Sequence, residues 1–421
     1  MKTAWLWVAA AAAWLAGPVF GFGCSPDLYE ERPYSTYVCD VAPASGGGFL
    51  VLSQESKTAT YRGTCVDRVT CDFWYSAFSL AKLDENGIQL WKTTIQEDAP
   101  KIDGHDVACG RVDDIDGRIV VTGWLSLDRK GNRLWIVGLD EGGERLWEQR
   151  EESIAPGYKV FYVYPSNAPW KTIVTQNPDT SVTVSGLFME REEVAGLYAL
   201  ELGSGGEIRD LRTVRIEGWP WDEDIVVEDL EPVLDGGHAI LVSLWNTYDR
   251  MEGAAAAGID DGGSLVWIRY LYSRDGFGGD PVGIRQAADG SFVFTLGHYG
   301  DTTLIWLDPE GRLTETSSWD QENVDLEAAP DGSILLAGES PGPDDDALLE
   351  VSLISAERGG LASWQKTFSF DLGPYFNCST TFGLTPAAGG GAVLVVDGGP
   401  ILRIGPDGEM LWSIDGPPGC E

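Results

Sequence analysis

Basic residues and histidines are scarce in this chain. Its 29 Lys and Arg stand against 66 Asp and Glu, for a formal net charge of −37, and it has only three histidines, His105, His238 and His298. Such an acidic excess argues against nucleic acid and anionic lipid surfaces as partners of the folded body. Beyond residue 22 no apolar run is long enough to span a bilayer. No nucleophile–base arrangement, phosphate-binding loop or cysteine metal cluster is visible. The acidity serves solubility first, and its oxygen ligands suit calcium; no other cofactor is expected.

Glycine and tryptophan are abundant. The 53 Gly and 22 Pro indicate many turns rather than long helices, and 43% hydrophobic residues with 17 Trp suffice for an extended core. One spacing organises the chain. In Leu83-Asp84-Glu85-Asn86-Gly87-Ile88-Gln89-Leu90-Trp91, Gly follows the Asp at the third place and Trp at the seventh. Asp140 leads likewise to Gly143 and Trp147, and Asp260 to Gly263 and Trp267, while Gly405 replaces the Asp ahead of Gly408 and Trp412. A short carboxylate and a glycine between apolar runs make a tight turn joining antiparallel strands, and the Trp can seal against a neighbouring unit. Asp84, Asp140, Asp260 and Asp308 therefore read as turn residues rather than catalytic carboxylates.

Seven units follow, each a first strand, a Gly-rich turn, an apolar second strand, a loop, a third strand, the Asp-x-x-Gly turn and a fourth strand. First-to-second turns fall at 46–48, 116–117, 179–180, 235–237, 289–290, 331–332 and 389–391, and six of the seven carry Gly. The predicted fold is all-β, a single β-propeller of seven four-stranded blades over residues 38–415, with six or eight blades left open. The spans 54–73, 148–170 and 218–229 read as loop excess suited to binding. This repeat resembles the pyrroloquinoline-quinone-type and related Trp-bearing repeats of secreted bacterial β-propellers, many without assigned activity. The resemblance speaks for fold and not for chemistry: the calcium site and quinone surroundings of the quinoprotein dehydrogenases have no local signature here. A sialidase-type Asp box is a near miss, because two residues rather than one separate Asp from Gly.

Met1-Lys2, the apolar run Thr3 to Ala16 and the Gly17-Pro18 break read as an export signal over residues 1–23. Residues 24–37 read as a tether or a strand closing the last unit, and 416–421 as a tail. Gly21-Phe22-Gly23-Cys24-Ser25 partially resembles the lipobox of bacterial lipoproteins, which implies lipidation of Cys24. The competing reading is a conventionally cleaved secreted protein with Cys24 in a disulfide. With Cys24 lipidated, six of the seven cysteines remain, an even set suited to an oxidising compartment. Cys65 and Cys71 are the expected pair, while Cys39, Cys109, Cys378 and Cys420 combine in several ways. The expected address is the periplasm, the outer membrane as a lipoprotein, or the exterior.

The richest candidate for function is Glu217 to Asp224, where Trp219 and Trp221 beside Asp222 and Asp224 suit a sugar or a cationic partner. His105 with Asp106, and His298 with Tyr299 and Asp301, are expected on the same rim, with His238 opposite. Asp113-Asp114-Ile115-Asp116-Gly117 reads as a solvated hairpin turn. The reading is a monomeric binding or scaffold module with an acidic, aromatic rim, its partner a cell-envelope protein or glycan, and membrane contact only through an N-terminal lipid or anchor. Competing classes are a hydrolase or lyase using loop carboxylates with calcium, and a structural envelope protein.

Overall fold

Short runs of β-branched and aliphatic residues separated by Asp-Gly and Gly-Gly turns favour strands covered on both faces. The computed structural model describes residues 27–65, 68–97, 107–126, 132–150, 172–177, 181–190, 193–215, 225–234, 236–245, 251–272, 279–298, 301–340, 348–357, 361–371, 382–387, 389–396 and 399–414.

Sheet 1 holds β1 (Asp27–Pro43), β2 (Phe49–Cys65), β3 (Arg68–Leu83) and β4 (Gln89–Glu97). Sheet 2 holds β5 (Val107–Ile115), β6 (Arg118–Ser126), β7 (Asn132–Leu139) and β8 (Arg145–Arg150). Sheet 3 holds β9 (Ile173–Gln176), β10 (Val182–Glu190), β11 (Glu193–Leu202) and β12 (Ile208–Arg215). Sheet 4 holds β13 (Ile225–Pro232), β14 (His238–Trp245), β15 (Met251–Ile259) and β16 (Leu265–Tyr272). Sheet 5 holds β17 (Asp280–Gln286), β18 (Phe292–His298), β19 (Asp301–Leu307) and β20 (Leu313–Trp319). Sheet 6 holds β21 (Glu322–Ala328), β22 (Ile334–Glu339), β23 (Leu348–Ala356) and β24 (Ala362–Asp371). Sheet 7 holds β25 (Phe382–Pro386), β26 (Ala392–Val396), β27 (Ile401–Ile404) and β28 (Met410–Ile414).

Within every sheet the strands pair in chain order. Each first strand touches the first strand of the next sheet, and β25 touches β1, so the first strands form a closed inner ring. The fold is a seven-bladed β-propeller. Its core is divided among the seven seams: Phe78 and Trp135 stack between sheets 1 and 2, for example, while Val41 and Phe49 meet Val393 and Val395 between sheets 1 and 7.

The repeated turn works as its composition predicts. Asp84 Oδ1 accepts from the backbone N–H of Asn86 and Ile88, each at 2.8 Å, and Asp260 and Asp308 accept from the corresponding positions of their turns. Gly87 has a φ of 79°, which the turn demands, and the Trp412 ring lies against it. The same contact recurs from Trp91 to Gly143, Trp147 to Gly206, Trp267 to Gly311 and Trp364 to Gly408, each indole sealing the seam to the next sheet. Trp91 and Trp412 also donate Nε1–H to the backbone oxygens of Glu141 and Glu85.

Three sequence expectations change. Most of the span 54–73 is strand and not loop: β2 runs on to Cys65 and β3 starts at Arg68, pairing Thr58 with Trp74 and Arg62 with Thr70. Its β-branched and aromatic residues explain this. Residues 27–37 continue β1 along β2, and sheet 7 has four strands of its own. Residues 225–229, taken with the loop before the fourth unit, open β13.

Candidate functional site: a charged lumen

The first strands, which form the inner ring, carry charged residues along their length. Asp40, Asp229 and Asp325 each stand next to a register shift, and each is followed by an aliphatic residue that enters the core. Their carboxylates span two sheets. Asp40 Oδ1 accepts from Val41 N and Oδ2 from Val112 N in sheet 2, at 2.9 and 2.8 Å. Asp229 accepts in the same way from Leu230 N and, in sheet 5, from Ile284 N, each within 2.9 Å. Asp325 accepts from Leu326 N and, in sheet 7, from Leu384 N, each at 2.9 Å. A carboxylate that takes backbone N–H groups from both sides of a seam clamps it, and the charge on the acceptor strengthens those bonds.

Arg285 of β17 joins three blades. Its Nη1 donates to Asp229 of sheet 4 at 2.6 Å, and its Nη2 donates to Glu327 of sheet 6 at 2.6 Å. The side chains of Arg285 and Asp229 are 6% and 0% exposed, so this pair holds two charges out of water. Burial alone would lower the guanidinium, but Glu327, Asp229 and Glu231 hold it well above its usual value.

On the other side of the ring, Arg111 of β5 points its Nε at Asp113, 3.3 and 3.2 Å from Oδ1 and Oδ2. Arg111 also interacts electrostatically with Glu327 and Arg285 of sheets 6 and 5, neither adjacent to sheet 2, so its charge acts across the middle of the ring. Although enclosed by protein, its side chain keeps 38% of its accessible surface, which marks it as facing the central lumen.

Burial raises three carboxyl groups around the lumen. Burial pushes Asp40 up to about 7, against the lowering effect of Arg111 and the Val112 N–H. Burial also pushes Glu231 up to about 7, with Arg285 opposing and Glu327 and Asp229 reinforcing. Asp113 is raised by burial in spite of Arg111. Among the described residues, no group of three or more His, Cys, Asp and Glu is arranged to hold a metal ion.

This site corrects one reading of the sequence. Asp116-Gly117 does form a two-residue hairpin turn, with φ of 51° and 81°, but Asp113 is not solvated there and faces Arg111 instead. Asp114 bonds Ser45 of sheet 1 through the Ser45 backbone N–H and hydroxyl. A signal for the clamps was present. An Asp-aliphatic pair stands nine residues ahead of the second strand at Asp40, Asp229 and Asp325.

Of the rim residues named from the sequence, only His298 and Asp301 are among the described residues. Trp219, Trp221, Asp222, Asp224, His105, Asp106 and Tyr299 lie outside the described residues, as does Cys24. His298 ends β18 and pairs with Asp301, which opens β19 and is exposed. In the backbone register Cys65 stands opposite Arg68 and Cys71 opposite Tyr61. Cys39 is disulfide-bonded.

No protein-family model matches this chain, and no curated protein matches it. Among solved structures it is similar to YCF48 bound to D1 peptide, with a TM-score of 0.44 and 10% identity over 90% of this chain and 94% of that one. It is similar to a catalytically inactive virginiamycin B lyase from Staphylococcus aureus with quinupristin, with a TM-score of 0.42 and 8% identity over 87% and 96% of the two chains. A protein of unknown function from Bacteroides caccae gives a TM-score of 0.35 and 11% identity over 67% and 90%. Likenesses at this level carry no argument about ligand or chemistry; the fold rests on the strand order itself.

Proposed function

We propose that this chain is an exported binding or scaffold propeller, held at the envelope by a lipid on Cys24, that engages an envelope glycan or protein through an acidic, aromatic rim. One observation carries the reading. At one end of the ring the short turns are committed to neighbouring sheets, through Ser45 to Asp114, Lys82 to Glu141 and Trp412 to Glu85. Antiparallel order sends the other connections, those after β4, β12 and β18, to the opposite end. These are the connections that contain Asp106, Trp219, Trp221 and Tyr299. Loops carried at one end of a rigid scaffold are where binding residues concentrate.

The test is cosedimentation of the purified chain with isolated cell-wall sacculi and with protein-stripped envelope. Replacing Trp219 and Trp221 together by Ala should reduce binding about tenfold, a loss of about 1.4 kcal/mol, with an unchanged circular dichroism spectrum. Undiminished binding would sink the rim reading. A rise in Tm on adding calcium, reversed by chelator, would favour the hydrolase or lyase class instead.

A further inference from the structure

The hydrogen-bonding capacity of the lumen is only partly used. Five carboxylates, Asp40, Asp113, Asp229, Glu231 and Glu327, share it with two guanidiniums, Arg111 and Arg285. Asp40 and Asp229 are occupied by backbone N–H groups, and Arg285 by Asp229, Glu327 and the Ile284 oxygen. Other groups keep capacity. Among the described residues the Arg111 side chain bonds only through Nε, leaving Nη1 and Nη2 open. Glu327 accepts through Oε1 alone, and Glu231 receives only a long 3.4 Å contact from Gln286 N. Arg111 and Glu327 retain 38% and 27% of their side-chain exposure.

A donor fork thus stands on sheet 2 and carboxylate oxygens stand on sheets 4 and 6. A simple anion would satisfy Arg111 but meet the excess negative charge. A simple amine would satisfy the carboxylates but leave the fork unmatched. A molecule with one carboxylate and more than one ammonium group matches both walls and offsets the imbalance. Guanidinium forks pair with carboxylates in bidentate geometry, which gives the anionic end its orientation. We propose that the lumen receives a basic amino acid, its carboxylate on the Arg111 fork and its ammonium groups on Glu231 and Glu327.

Occupation would be linked to protons. Glu231 faces Arg285 of β17, Glu327 of β21, Asp229 of its own strand and, across the lumen, Arg111 of β5. Burial keeps its proton up to about 7, so an ammonium seated on it favours the deprotonated form and releases that proton.

Isothermal titration of the full purified chain with L-lysine, in two buffers of different ionisation enthalpy, reads both binding and proton release. L-lysine should bind at least about tenfold more tightly than cadaverine, which lacks the carboxylate, and acetate should not bind. Affinity should weaken as pH falls from 8 to 6. Arg111→Gln should bring L-lysine down to the level of cadaverine, while Trp219→Ala with Trp221→Ala should leave it unchanged. That last arm separates failure here from failure of the rim reading. If Arg111→Gln does not fold, Glu327→Gln and the proton release of the native chain decide. No heat with millimolar L-lysine, equal affinity for cadaverine, or binding without proton release would overturn the proposal.

Discussion

The outer turns and the inner lumen of this propeller tie neighbouring sheets together by opposite means. Outside, a neutral indole lies on the turn glycine of the next sheet, and each turn Asp bonds within four residues of itself. Inside, carboxylates reach N–H groups 55 to 72 residues away, and a guanidinium is held between two sheets that are not its own. The outer device is local, repeated and tolerant of loss, since sheets 3 and 5 lack the Trp at the standard position. Among the described residues the inner Asp clamp recurs at only three seams and the Arg285 bridge at one place, and there removing one partner leaves a buried charge unpaired in a low dielectric. What separates them is the cost of failure.

The sharpest way to break the comparison is Arg285→Met. It strands Asp229, whose side chain is fully buried, and should cost roughly 3–5 kcal/mol in urea unfolding. If the loss is no greater than that of an outer substitution, the two rings do not differ as described.

Titration gives the next effect. Glu231 keeps its proton up to about 7 in the folded chain but loses it near 4.5 when unfolded. Its contribution to stability is therefore complete below about 4.5 and is lost as pH rises toward 7, a decline of roughly 3 kcal/mol at most by the size of the shift. Glu231→Gln should flatten Tm between pH 4.5 and 7 relative to the native chain, measured by calorimetry. An unchanged slope would place the proton elsewhere.

Trp412→Ala probes the seam that closes the ring. The indole packs against Phe49 and the Gly87 turn but is only half-buried, so the expected cost is about 2 kcal/mol, below that of a buried tryptophan. Asp84→Ala should have the smallest effect. Two exposed backbone bonds are lost and water replaces them, so about 1 kcal/mol or less is expected in the same denaturation assay. A larger effect would mean that the turns, too, depend on charge.

Legibility followed the same division. The Asp84-x-x-Gly87 turn and Trp91 were readable because the spacing is contained in nine residues and repeats. Long β2 and β3 were misread as loop, since Lys57 to Asp72 is polar enough to resemble one and only the pairing of the two strands with each other and with β1 makes them a sheet. Asp113 was misread because hairpin composition describes the turn at Asp116-Gly117 and says nothing of what a side chain three residues earlier will face.

The sequence by itself determined the strand and turn chemistry, the repeat and hence the propeller, because strand periodicity, positive-φ glycines and stacked indoles act over a few residues at a time. Only the tertiary structure decided that Asp40, Arg111, Asp113, Glu231, Arg285 and Glu327 share one lumen. Their electrostatic neighbours come from different sheets, and their protonation depends on burial that exists only once the ring has closed.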